Sequence, residues 1–228
     1  FSVPAYHDWY ARYMYIQGSP EYEHHLANYG PHKEFGFKGF IPLFTMEKFD
    51  PKEWVELFIG AGADYIVPVA EHHDGFQMYR SELSHWNAAE MGPRRDLLGE
   101  LLEEAGKAGM TVGASTHRAE HWWFMSHGLE FDSDVREPLK QGDLYWPAQP
   151  EFSHQDLFSQ PQPDEEYLDD WLLRCCEIID RYQPRILYFD WWILHSALKP
   201  HLLRLAAYYY NRAESWGGCV INYKHDAF

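Results

Sequence analysis

The chain has 228 residues, of which 46% are apolar, enough to build a hydrophobic core. Its 19 Lys and Arg against 35 Asp and Glu give a formal charge of −16, which argues against binding to nucleic-acid phosphates. Aromatic residues make up 18%, and the 14 His add titratable side chains, so the composition favours an enzyme or a carbohydrate binder. The sequence contains no apolar run long enough for a membrane span, so we predict no membrane partner.

Helices and strands alternate along the chain from Asp50 onward. Asp50-Pro51 is typical of a helix start, and Trp54, Leu57 and Phe58 are expected to form the apolar face of that helix. Further helices are predicted at 97–108, 165–182 and 198–215, and strands at 65–70, 110–115, 186–189 and 220–222. The strands are continuous apolar runs, which are typical of a parallel sheet covered on both faces.

Repeated helix–strand units predict a parallel sheet, either doubly wound or closed into a barrel. Polar residues follow every predicted strand, at Glu71-His72-His73-Asp74, Thr116-His117-Arg118, Asp190 and Lys224. A barrel places its active site at these strand ends. No glycine-rich phosphate loop follows any predicted strand, which counts against the doubly wound alternative. We therefore predict an α/β fold of the (β/α)8-like TIM-barrel type. Four clear strands make about half a barrel, so its first strand and last units are expected to be missing. Residues 1–44 show little periodicity and are predicted as loops and short helices.

Asp190 follows the strand at 186–189 and precedes Trp191-Trp192. A carboxylate at the end of a barrel strand, next to aromatic residues, suits a nucleophile that attacks the anomeric carbon of a sugar. A helix N-cap or a structural ion pair would explain the same residue. The pattern alone leaves these interpretations open.

His72 and His73 follow a predicted strand directly. At the mouth of a barrel, imidazoles can form hydrogen bonds with sugar hydroxyls. Zinc is the rival ligand, with His117 as a third donor. Adjacent residues on an extended segment point in opposite directions, and no His-x-x-x-His pair accompanies them, so we predict no metal.

Two further clusters combine aromatic and polar side chains. Asp8-Trp9 places a carboxylate beside an indole, and His117, Glu120 and Trp122-Trp123 follow the second predicted strand. A packed Trp beside a solvated Asp is the alternative explanation of Asp8-Trp9. For the second cluster, stacking on a ligand and packing in the core explain the aromatic residues equally well.

Several separate segments together match one family pattern. They are His7-Asp8-Trp9-Tyr10-Ala11-Arg12, Phe40-Ile41-Pro42-Leu43-Phe44, Glu71-His72-His73-Asp74-Gly75-Phe76, Arg95-Asp96-Leu97-Leu98-Gly99-Glu100-Leu101 and Leu187-Tyr188-Phe189-Asp190. They resemble glycoside hydrolase family 29, the α-L-fucosidases, whose most diagnostic motif is Lys/Glu-His-His-Asp-Gly-Phe. The resemblance covers nearly the whole chain.

The resemblance implies a barrel that hydrolyses α-L-fucosides with retention, through a covalent fucosyl-enzyme and without a cofactor. Asp190 then matches the nucleophile. His72 and His73 match the pair that binds fucose hydroxyls, and Trp9 matches a sugar-contacting Trp.

The chain departs from the family pattern at three expected substrate-binding positions. Asp8 stands where many members have Glu, and Lys224 stands where others carry an Arg near the sugar. His117 replaces part of a Tyr-Tyr-Ser segment. The early His-Trp-Gly motif of the family is expected before Phe1, and its general acid/base Glu beyond Phe228. Residues 1–228 are therefore predicted to be the N-terminal and central part of a catalytic barrel, with no second domain.

The function predicted from this resemblance is that of a retaining exo-α-L-fucosidase acting on fucosylated oligosaccharides or glycoconjugates. A fucose-binding, lectin-like module without catalysis is the alternative, and a zinc-dependent hydrolase on the same barrel is a third, weaker hypothesis. Residues 1–228 expressed alone are expected to aggregate and to lack activity, because an unclosed barrel leaves strand edges unpaired.

Overall fold

A parallel sheet with helices packed against it forms the framework of the protein. The computed structural model describes residues 7–150, 162–225 and 227. The strands are β1 (Tyr65–Ile66), β2 (Val69–Glu71), β3 (Thr111–Thr116), β4 (Ile186–Phe189) and β5 (Val220–Tyr223). The helices are α1 (Tyr10–Tyr13), α2 (Pro20–Tyr29), α3 (Pro51–Gly60), α4 (Leu97–Lys107), α5 (His121–Phe124), α6 (Glu165–Tyr182) and α7 (Lys199–Ala213). None of the helices described is long and apolar enough to cross a membrane.

All five strands run parallel, which confirms the predicted α/β class. β1 and β2 pair with β3, which pairs with β4, and β4 pairs with β5. Within the described residues the sheet is open, with β1 and β2 at one edge and β5 at the other. Closure into a TIM barrel stays a prediction.

The single strand predicted at 65–70 is wrong in one respect, because it forms two short strands. Residues 67–68 separate β1 from β2, and the register against β3 shifts within β2. Pro68 has no backbone N–H to donate to a neighbouring strand. Its carbonyl still accepts a hydrogen bond from Ser115 N at 2.9 Å, so the chain keeps its course along β3.

Aspartate side chains cap the starts of α3, α4 and α6, as the sequence predicts for Asp50. Asp50 accepts hydrogen bonds from the backbone N–H groups of Lys52 and Glu53 at the start of α3. Asp96 caps α4 and Asp164 caps α6 in the same way. In the part of residues 1–44 that is described, short helices and turns prevail, as predicted.

The apolar face predicted for α3 is present but only partly buried by the described residues. Leu57 is 69% exposed and Trp54 is 39% exposed, whereas Val55 is buried. Trp54 and Phe58 instead line an apolar cavity of about 430 Å³ beside the edge strands. The helical periodicity was correct, but the described elements supply no layer that covers this side of α3.

The two faces of the sheet differ in how they are covered. Leu187 and Phe189 of β4 are fully buried on the helix side. The other face borders an open cavity of about 570 Å³, lined by Tyr65, Val67, Val69, Ser115, His117, Ile186, Tyr188, Val220, Ile221 and Asn222. The side chains that follow the strands on this open face form the candidate site.

Candidate active site

The strand register places Asp190 between a histidine and a lysine. Ser115 of β3 pairs with Tyr188 of β4, so the residues two positions further on, His117 and Asp190, are also neighbours. Tyr188 pairs with Asn222 of β5, which brings Lys224 to the other side of Asp190. Three residues from distant parts of the sequence therefore meet at one edge of the sheet.

The Asp190 carboxylate has positive or polar partners on both oxygens. Lys224 Nζ forms an ion pair with Oδ1, His117 Nδ1 lies 3.4 Å from Oδ2, and the Tyr188 hydroxyl donates to Oδ1 at 3.5 Å. Burial alone would raise the pKa of Asp190, but His117 and Lys224 hold it well below the usual range of an aspartate. Asp190 is therefore ionised at neutral pH, as a carboxylate nucleophile must be.

His72 and His73 lie in a turn, and both rings face the site. The turn is closed by a hydrogen bond from Gly75 N to His72 O at 3.2 Å, and their ring centroids are 4.1 Å apart. The expectation that neighbouring His side chains diverge is therefore wrong, because β2 ends at Glu71 and the segment is not extended. Burial lowers the pKa of His72 to about 4 and that of His73 well below its usual value, so both imidazoles are neutral.

Asp8 and Trp9 flank this histidine pair. Asp8 Oδ2 lies 3.6 Å from His72 Nε2, and its side chain is 66% exposed. The Trp9 ring meets the His73 ring edge to face at 5.3 Å between centroids. Every residue predicted for the site, including His117, Asp190 and Lys224, is thus found in one neighbourhood.

A buried network of four charges fixes the segments that carry the site. Arg118 donates to Glu71 at 2.8 Å and to Asp170 at 2.7–2.8 Å, and Arg174 contacts the same two carboxylates at 3.2 and 3.0 Å. Glu71 precedes the histidine turn, Arg118 follows β3, and the other two residues belong to α6. The network therefore ties the ends of two strands to the outer helix layer.

Two groups of side chains in the site have donor atoms close enough to hold a metal ion. They are His72 with His73 and His117, and His73 with Glu120 and Asp190. In the second group, the Lys224 ammonium already neutralises Asp190, which opposes a further cation. The first group offers three imidazoles, and neutral imidazoles also suit sugar hydroxyls.

Sequence reasoning missed two contributors to this site. Tyr188 lies two residues before Asp190 on β4, so the alternation of side chains along a strand would have placed both on one face. Arg12 is buried and lies over the Trp123 ring at 4.6 Å. Its role depends on the path of α1 against α5, and nothing in the local sequence signals that contact.

An ionised carboxylate among imidazole and indole rings, at the strand ends of a parallel α/β sheet, is a site of the glycoside-hydrolase class. The family profile described as Alpha-L-fucosidase matches residues 1–227. The chain therefore belongs to the α-L-fucosidase family.

Individual relatives agree with this assignment. The chain is 32% identical over 208 residues to the tissue alpha-L-fucosidase of Rattus norvegicus, which covers 89% of this chain and 42% of the relative. It is 30% identical over 207 residues to that of Macaca fascicularis, with the same two shares. The chain thus spans less than half the length of these relatives.

Solved structures show the same likeness. The Thermotoga maritima alpha-fucosidase superposes with a TM-score of 0.71 at 31% identity, covering 94% of this chain and 44% of that one. The form of that enzyme in complex with fucose gives a TM-score of 0.72 with the same identity and coverage.

Proposed function

We propose that this chain carries the nucleophile and part of the sugar site of a retaining exo-α-L-fucosidase. The observation that carries the proposal is Asp190, an ionised carboxylate fixed between His117 and Lys224 beside two neutral histidines. The family membership supports fucose as the sugar, and fucosylated oligosaccharides or glycoconjugates as the substrates.

The reaction proceeds in two displacements. An oxygen of Asp190 bonds to the anomeric carbon of fucose while the bond to the leaving oxygen breaks, and a general acid protonates that oxygen. Water then attacks the same carbon, restores the Asp190 carboxylate and gives its proton to the group that acted as acid. Each step inverts the carbon, so the product retains the configuration of the substrate.

The ion pair with Lys224 has a specific consequence for this chemistry. The ion pair keeps Asp190 ionised, but the ammonium also attracts the electron density that the carboxylate must donate to the anomeric carbon. His117 and Tyr188 also contact the Asp190 oxygens, so the carboxylate keeps one orientation before the substrate enters. Such preorganisation lowers the cost of reaching the transition state.

His72 and His73 would bind the hydroxyls of the sugar, and Trp9 would pack against its apolar side. Neutral imidazoles can both donate and accept, which matches a hydroxyl group. Asp8, 3.6 Å from His72, would orient that ring from the solvent side.

The family resemblance implies that the general acid is a Glu. Glu120 is a carboxyl near Asp190, but it is buried against His73 and only 1% exposed. It therefore does not face the solvent-exposed side from which an aglycone leaves.

The test is Asp190→Gly in the full-length natural protein, assayed on an aryl α-L-fucoside. Turnover should fall by several orders of magnitude, and added azide should restore turnover by forming β-fucosyl azide in place of the fucosyl-enzyme. Asp132→Gly, at a 68% exposed position, is the matched control and should leave activity unchanged.

Near-normal turnover by Asp190→Gly would overturn the proposed role. If the unmodified protein binds fucose in calorimetry but does not hydrolyse the fucoside, the fucose-binding module is the correct function instead.

A further inference from the structure

Glu120 is a buried carboxyl that the proposed reaction does not use. It ends the short 3-10 helix Arg118–Glu120 after β3 and is 1% exposed. Its Oε2 lies 3.2 Å from His73 Nδ1, and one of its carboxyl oxygens lies within 4.8 Å of a carboxylate oxygen of Asp190. Among residues 7–150 and 162–225, neither Glu120 oxygen has a hydrogen-bond partner of good geometry.

The surroundings of Nδ1 determine which nitrogen of His73 carries the proton. The backbone oxygen of His117 lies 3.2 Å from Nδ1, and Glu120 Oε2 lies at the same distance. A carbonyl oxygen can only accept, so Nδ1 must be the protonated nitrogen of this neutral ring. The other nitrogen, Nε2, is then an acceptor.

The charges around Glu120 keep it in its neutral form. Burial, and then the charge of Asp190, raise the pKa of Glu120 to about 9, and Lys224 and Arg12 only partly oppose this. A second anion beside Asp190 would also draw a proton to His73. The resulting imidazolium would donate from both nitrogens and could accept from neither.

We propose that Glu120 is a positioning residue, which as a neutral carboxylic acid beside Nδ1 keeps His73 a neutral imidazole, so that Nε2 accepts a hydrogen bond from a sugar hydroxyl. This inference rests on the proposed function, because it assigns His73 a sugar partner. The neutral state is essential to the role, whereas an ordinary surface Glu works as an anion.

Two variants of the full-length natural protein separate positioning from simple packing. Glu120→Gln keeps the shape and a neutral acceptor, whereas Glu120→Ala removes both. With a dinitrophenyl α-L-fucoside, whose leaving group needs no protonation, Glu120→Gln should stay within about threefold of the unmodified kcat/KM at pH 6. Glu120→Ala should lose about 10- to 100-fold, because the buried imidazole is left without the polar neighbour beside Nδ1.

The pH profile gives a readout that a packing role would not move. The unmodified protein should lose kcat/KM on this substrate as Glu120 ionises near pH 9, and Glu120→Gln should lack that alkaline limb. Glu103→Gln, at a 67% exposed position on α4, is the control and should keep the limb.

Infrared difference spectroscopy tests the protonation state without any activity. The spectrum of the unmodified protein minus that of Glu120→Gln at pH 7 should show the carbonyl stretch of a neutral carboxylic acid. An ionised carboxylate at pH 7, an unchanged alkaline limb in Glu120→Gln, or full activity in Glu120→Ala would each overturn the proposal. If the unmodified protein does not hydrolyse the fucoside, the proposed function fails, and fucose affinity by calorimetry takes the place of kcat/KM for the same variants.

Discussion

Removing Arg118 should destabilise the protein far more than removing an exposed arginine. In Arg118→Met, Arg174 would be the one positive partner that the described residues leave to Glu71 and Asp170, so two buried carboxylates would share one guanidinium. The side chains of the network are between 1% and 8% exposed, so water cannot solvate the charge left over.

The magnitude follows from that burial. Breaking a buried ion pair from one side costs about 3–5 kcal/mol, out of a typical unfolding free energy of about 5–15 kcal/mol. For a chain of about 150–250 residues, that corresponds to a fall in Tm of roughly 6–20 °C, and a longer chain would show a smaller fall. Arg212 pairs with Asp180 on the surface, where both side chains are about half exposed, so Arg212→Met should cost only about 0–1 kcal/mol.

The assay is urea unfolding of the full-length natural protein and of the two variants, followed by tryptophan fluorescence and by circular dichroism. Adding Glu71→Gln to Arg118→Met should recover part of the loss, because it removes the surplus anion. The reasoning is refuted if Arg118→Met loses no more unfolding free energy than Arg212→Met, or if adding Glu71→Gln lowers the unfolding free energy further.

Four further predictions follow from the site and the sheet. Lys224→Met should raise the pKa of Asp190, so the acid limb of kcat/KM should move to higher pH in a pH–rate profile; an unmoved limb would contradict the ion pair. Because the pKa of Glu120 rises from 4.5 to about 9 on folding, the unfolding free energy of the unmodified protein falls as the pH rises across that window. Relative to the unmodified protein, Glu120→Gln should therefore gain up to about 1.4 kcal/mol of unfolding free energy per pH unit, measured by denaturation from pH 5 to 8. A difference between the two proteins that does not change with pH would refute this. Treatment with a chelator should leave hydrolysis unchanged, with metal analysis as the check, and loss of activity restored by zinc would favour the metal reading. Residues 1–228 expressed alone should self-associate in analytical ultracentrifugation through the open sheet face, where Val220 is 54% exposed, and a monodisperse monomer would be the contrary result.

The arrangement of the site could be predicted from the strand ends. Parallel strands bring their carboxyl ends to one edge of a sheet, so residues after three separate strands, such as His117, Asp190 and Lys224, had to meet there. The helix starts were also predictable, because Asp50 and its counterparts satisfy backbone N–H groups within a few residues.

Other features depend on contacts between distant segments, which no local pattern reveals. The turn at His72 and His73 directs both rings to one side, and an alternating strand pattern predicts the opposite. The burial of Glu120 results from the packing of its short helix against the end of β4 and the histidine turn. The exposure of Leu57 likewise reflects which layers cover α3, and the amphipathic pattern of the helix does not contain that information.

The central claim, that Asp190 is the nucleophile of a retaining fucosidase, is tested most directly by trapping the intermediate. The full-length natural protein would be incubated with a fluorinated fucosyl fluoride, which forms the glycosyl-enzyme faster than water removes it, then digested and sequenced by mass spectrometry. We predict one fluorofucosyl adduct, on the peptide that contains Asp190, together with release of fluoride and loss of activity. An adduct on another residue, or inactivation without any covalent adduct, would contradict the account.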